Sequence, residues 1–199
     1  MSAINPLRNR PADTSCGATT AEFALSVVIF FSVLFFVIEL ARALYLTNTL
    51  QEATRRAAYA AAVSNFSDTA VMDRVRQDAV LRDSPGMLML GAPVTDAHIR
   101  IDYLSLARAA DGAMTMTPIA AADLPACPVR ARINCASNPN GANCIRFVRA
   151  RVCAPGGGCD PVSYQPMLPL TGLGYALPVS TTIAKAESLG FAPGSALCP

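Results

Sequence analysis

Apolar positions along this 199-residue chain fall into two regimes. From Ala24 to Ile38 they run almost without a break, with Glu22 at the mouth of the run and Glu39 and Arg42 near its far end. A helix needs about 20 predominantly apolar residues to span a bilayer, so Ala21 to about Leu46 predicts a transmembrane helix. Between Ala18 and Ser84 there is neither Gly nor Pro, and with no strong breaker the helix is expected to continue outward through the alanine-rich stretch Leu44 to Val63. At 1.5 Å per residue, such a helix is roughly 70 Å long. Glu39 and Arg42, three residues apart, are placed to pair on one face near the outer end of the span.

Past Val63 the pattern loosens. Ser64-Asn65-Phe66-Ser67-Asp68 interrupts the helix, and Ser67 or Asp68 is suited to cap a second one running to about Leu81, with Val71, Val75 and Ala79 on one face. Pro85-Gly86 ends it. After Gly91 the period changes to two: His98 to Leu104 and Ile145 to Val152 alternate as half-exposed strands, and Leu177 to Lys185 reads as a last strand. Between the first two lies a stretch rich in Pro, Asn and Gly, read as a loop, that carries Cys127, Cys135 and Cys144. The expected fold is α+β, a long helix laid across a small antiparallel sheet with a second helix.

Two other readings of the apolar run are weaker. A cleaved secretory signal could use Ala41-Arg42-Ala43 as its small-x-small site, but Glu39 and Arg42 crowd that cut and Glu22 opens the run. A lipoprotein would need its cysteine after the run, whereas Cys16 precedes it.

Cysteine usage orients the chain better than charge does. Arg8 and Arg10 precede the span, but Arg42, Arg55 and Arg56 follow it closely, so the arginine bias says little. Six of the seven cysteines, Cys127, Cys135, Cys144, Cys153, Cys159 and Cys198, lie in the C-terminal part. An even set of this kind predicts a disulfide framework in an oxidising compartment outside the cytoplasm, with its pairing left open. Their wide spacing does not match the close Cys pairs of zinc sites, and no metal ligand set is expected. Cys153 and Cys159 enclose Ala154-Pro155-Gly156-Gly157-Gly158, a turn that a disulfide could close.

The formal net charge of +2, carried almost entirely by scattered arginines with Lys185 the one lysine, implies neither nucleic acid nor an acidic surface as partner. Chemistry-bearing patterns are missing. His98 is the single histidine and lies on an expected strand, the Gly156–Gly158 run does not open a helix, and the carboxylates are dispersed. The chain therefore reads as a non-enzyme with no cofactor and no small-molecule substrate.

Gly17, then Ala18-Thr19-Thr20-Ala21, then Glu22-Phe23 and the apolar helix, resembles the processing site of a type IV prepilin, in the Gly-xxxx-Glu-Phe form found in Flp/Tad-type pilins and pseudopilins. Ile38-Glu39-Leu40-Ala41-Arg42-Ala43-Leu44-Tyr45 and Leu50-Gln51-Glu52-Ala53-Thr54-Arg55-Arg56-Ala57-Ala58-Tyr59-Ala60, following in order, resemble the N-terminal region of TadE-like pseudopilins. Ala41 stands where that family often has Gly, and Cys16 directly precedes the Gly. The resemblance implies a cytoplasmic leader, 1–17, removed by a prepilin peptidase that recognises Gly17, Ala18, Glu22 and Phe23. It implies a transmembrane and extended helix, 18–64, and a periplasmic or extracellular domain, 65–199. Glu22 would pair with the new amine of Ala18 on a neighbouring subunit, since a charge in an apolar setting is tolerated when paired. Phe23, Leu25, Val28 and Ile29 would supply helix–helix packing. Other pilins and the Tad assembly machinery are the implied partners, the inner membrane the implied site, and pilus assembly for surface attachment the implied role. The competing reading is an uncleaved bitopic membrane protein whose disulfide-bonded periplasmic domain binds a partner.

Overall fold

The computed structural model describes residues 16–156, 158–167 and 174–198. The expected leader falls outside these up to residue 15, as does Gly157 of the glycine run.

Helix α1 (Cys16–Val63) is 48 residues long and unbroken, about 70 Å at 1.5 Å per residue. Helix α2 (Thr69–Ala79) starts at Asp68, whose carboxylate accepts from the backbone N–H groups of Ala70 and Val71, the donors a helix start leaves unpaired. It buries Met72, Val75 and Ala79; Val71, expected on that face, is only half-buried. The chain then forms β1 (Ile99–Arg108), β2 (Met114–Pro118), α3 (Pro128–Ser137), β3 (Phe147–Val152) and β4 (Thr181–Lys185). The four strands make one antiparallel sheet in the order β2-β1-β3-β4. Ile101 pairs with Ala150, and Ala150 with Thr182.

Several expectations need correction. His98 is not in a strand; it ends a 3-10 turn, Asp96–His98, and β1 begins one residue later. The cysteine-bearing stretch read as a loop holds α3, with Pro128 at its first turn, where a missing N–H costs nothing. β2 was not foreseen, and β3 and β4 are shorter than their alternating patterns, starting at Phe147 and Thr181.

The outer half of α1 is the spine of the core. Glu39, Arg42, Leu46, Leu50, Ala53, Ala57 and Ala61 are buried at steps of three and four residues, one stripe of the helix. The stripe faces Val148, Ala150, Val152 and Ala184 of the sheet, all in the same core. Alanines at the far end of the stripe let sheet and helix approach closely. Thr54 is fully buried; its hydroxyl reaches the Gln51 carbonyl at 2.9 Å and Thr182 Oγ1 at 3.0 Å.

The C-terminus of α1 is capped from far along the chain. Glu187 N and Leu189 N donate to the Ala62 carbonyl and Gly190 N to that of Val63, with the Ser188 hydroxyl also on Val63 O. These are carbonyls that a helix end leaves without partners. Gly190 has φ +81°, and a Cβ there would lie 2.5 Å from the Asn65 backbone, so the close approach requires glycine.

All six C-terminal cysteines are paired: Cys127–Cys198, Cys135–Cys144 and Cys153–Cys159. The first ties the chain's far segment to the start of α3, the second ties α3 to the approach to β3, and the third closes the glycine turn.

Candidate functional site

Two regions of α1 concentrate the unusual chemistry: its bare inner half, and the point where it enters the domain. From Thr19 to Ile38 the helix touches almost nothing. Phe23, Leu25, Val28, Ile29, Phe30 and Val33 are all more than half exposed, an apolar surface far beyond what water-facing helices carry. By length and composition this helix is able to cross a membrane. Gly17 and Ala18 lie on its first turns, and Glu22 and Phe23 follow on exposed positions. The helix therefore presents Glu22 and the four packing candidates together near its N-terminal end. Glu22 makes no ion pair among the described residues.

At Glu39 the environment changes within one residue. Glu39 and Arg42 are both buried, Nη1 of Arg42 lying 3.5 Å from Glu39 Oε1. The expected i,i+3 pair forms, but as the centre of a larger clasp. Arg42 donates from Nε to the Leu90 carbonyl at 3.1 Å, from Nη2 to that of Ala92 at 3.1 Å, and from Nη1 to that of Gln165 at 2.6 Å. Its guanidinium also packs over the Tyr164 ring. Glu39 accepts from the Tyr164 hydroxyl and, at 3.2 Å, from the Met167 N–H. Tyr164 stacks on Tyr175 with ring centroids 4.5 Å apart. Burial, helped by the hydrogen bond to Glu39, raises the Tyr164 phenol to about 12, so it remains a donor to Glu39 at physiological pH. Two charges are thus brought out of water only because every polar atom is met, the condition under which buried pairs persist.

A second charged cluster lies on the face of the sheet turned away from α1. Arg149 and Arg151 converge on one Asp102 oxygen at 3.0 and 2.7 Å, and Arg100 reaches the other at 3.2 Å. Burial works against the Asp102 carboxylate, but the Arg151 and Arg149 hydrogen bonds and charges outweigh it and hold its pKa below the usual value. Alternation in β1 and β3 places these four residues on one face. His98 accepts the Thr95 N–H at Nδ1. Burial lowers its pKa against the opposing influence of Asp96 and the Thr95 backbone. It holds a turn through its bonds to Thr95. Among the described residues, no group of three or more His, Cys, Asp or Glu is placed to hold a metal ion.

The sequence had flagged Gly17, Glu22 and Phe23, and had paired Glu39 with Arg42. It missed the clasp partners Leu90, Ala92, Tyr164 and Gln165. The one available signal was the oddity of two charges at the end of an apolar run.

No curated protein and no solved structure matches the chain. A family model described as TadE-like protein does match, over residues 17–58. The matched segment opens at Gly17, contains Glu22, the bare helix and the Glu39–Arg42 pair, and ends within the alanine-rich half of α1; over this N-terminal segment the chain is similar to TadE-like proteins.

Proposed function

We propose that this protein is a TadE-like pseudopilin, a minor component or assembly factor of a Flp/Tad-type pilus, and not an enzyme. The observation that carries this reading is the coincidence of the family match with one continuous helix. That helix is bare and apolar from Thr19 to Ile38 and then seated on a disulfide-bonded domain. On this reading the helix lies in the bacterial inner membrane with its N-terminus cytoplasmic and its domain periplasmic, where the three disulfides can form. A prepilin peptidase cuts after Gly17, and Glu22 then meets the Ala18 amine of a neighbouring pilin as subunits are added. The size of the domain, far beyond a bare helix, suits a priming or tip role in a fibre used for surface attachment rather than the bulk subunit.

The test is the N-terminus of the membrane-extracted protein, read by intact mass and terminal sequencing in cells with and without the peptidase. A mature form starting at Ala18, lost without the peptidase or in Gly17→Ala, is the expected result. A start at Met1 in both strains would instead support the uncleaved bitopic protein. A start near Leu44 would mean an ordinary secretory signal.

A further inference from the structure

The clasp fixes the height of two loops along α1, and those loops are unusually apolar. Thr19 to Ile38 rises about 30 Å, matching the roughly 30 Å of hydrocarbon in a bilayer. Glu39, the first buried charge, stands at the end of that distance. Met167 is bonded to it through its N–H. The Leu90 carbonyl is bonded to Arg42 and the Met89 carbonyl to Tyr45 at 3.2 Å, residues that lie about 6 and 10 Å beyond Ile38 along the helix. Met167 and Leu90 therefore sit at the depth of the lipid headgroups, which occupy about 5–8 Å on each side of the hydrocarbon, and Met89 stands at the outer edge of that layer.

Their side chains do not belong to the core. Met89 is 70 % exposed, Leu90 64 % and Met167 59 %, whereas neighbouring Leu88 is 2 % exposed. Leu90 also has φ +55°, a conformation that suits Gly or Asn and that a leucine adopts at a cost. Three of the chain's five tyrosines lie near this end of the span: Tyr164 and Tyr175 stack beside Glu39 and Arg42, and Tyr45 follows one turn farther out on α1, in keeping with the aromatic residues found at membrane interfaces. Beside them a mostly apolar cleft of about 280 Å³ opens between Phe36, Glu39, Leu40, Ala43, Tyr164 and Tyr175, reaching the bare helix at Phe36.

We infer that Met89, Leu90 and Met167 form a lipid-facing collar that seats the domain in the bilayer interface around the emerging helix. This rests on the reading of α1 as the membrane anchor. The collar fixes the domain's height, and the Glu39–Arg42 clasp couples that height to the helix.

The chain contains no tryptophan, so single replacements report without background. The full chain, reconstituted in phosphatidylethanolamine–phosphatidylglycerol vesicles, would carry Met89→Trp, Leu90→Trp or Met167→Trp. Phe30→Trp reports on the span. Met114→Trp, exposed at the start of β2 beyond the far end of α1, reports on water. Nitroxide lipids labelled near the headgroup should quench the three collar positions at least about twofold more than Met114→Trp, with blue-shifted emission, as expected for an interfacial indole. Collar positions quenched no more than Met114→Trp, while Phe30→Trp is quenched by deeply brominated lipid, would overturn the collar alone. Blue-shifted collar emission without lipid quenching would overturn it in favour of a neighbouring protein copy. Failure of Phe30→Trp to respond to any lipid quencher would remove the anchor reading and the collar with it.

Discussion

Arg42 donates to the backbone carbonyl of Gln165 at 2.6 Å, across 123 residues of chain. With the Leu90 and Ala92 carbonyls, this makes one guanidinium the fastening between a helix and two distant loops.

Replacing Arg42 by Ala leaves Glu39 buried without its counter-charge and frees three carbonyls. The expected loss is about 3–5 kcal/mol, read as a lowered unfolding midpoint of the domain in detergent. The double change Glu39→Leu with Arg42→Leu removes both charges and should recover a large part of it. A double variant no better than Arg42→Ala would mean that the carbonyl contacts, not the uncompensated charge, dominate.

Disulfide loss should scale with the loop closed. Cys127–Cys198 spans 71 residues and Cys153–Cys159 spans 6. On chain-entropy grounds, Cys198→Ser with Cys127→Ser should cost about 4 kcal/mol and the Cys153/Cys159 pair about 2. Denaturant titration of the two double serine variants checks the order.

Stability should fall with acid in two separate windows. His98 has a folded pKa below its ordinary 6.5. As pH drops from 6.5 toward that lower value the unfolded chain binds the proton first, and the fold loses stability. His98→Gln should flatten this window. Asp102 has a folded pKa below 3.8, so its contribution is present above 3.8 and is lost as pH falls from there through the folded value. Asp102→Asn should abolish that second slope. Thermal melts across pH in the variants separate the two.

Gly190→Ala tests the cap on α1. The added methyl meets the Asn65 backbone at 2.5 Å in a left-handed conformation. A destabilisation of about 1–3 kcal/mol is expected, with faster amide exchange concentrated at residues 60–63 and 187–190. Uniform exchange changes would contradict a local cap.

The sequence made α1, the Asp68 cap and the two central strands legible, because each has a local signal: missing breakers, a short polar side chain before a helix, and alternation. β2 had none, since all five of its residues are exposed and Met-Thr alternation marks no buried face. α3 was hidden by Pro128, a breaker inside a helix but an ordinary residue at its start. Disulfide pairing and the clasp are long-range facts, decided by packing between residues that share no local pattern. Gly17 and Glu22 are legible for the opposite reason. Their pattern is wholly local, and Glu22 is exposed in the fold.

The distant cap on α1 also sets an order of events. Ser188 bonds to Val63 across 125 residues, so the outer half of the helix exists well before the segment that completes its end. At about 5–20 residues per second during synthesis, that interval is on the order of ten seconds. For that time the helix must keep a sheet-binding stripe without its sheet. Toward its end the stripe is made of Ala53, Ala57 and Ala61, side chains that bury little area each and so offer a waiting chain little for wrong partners to hold.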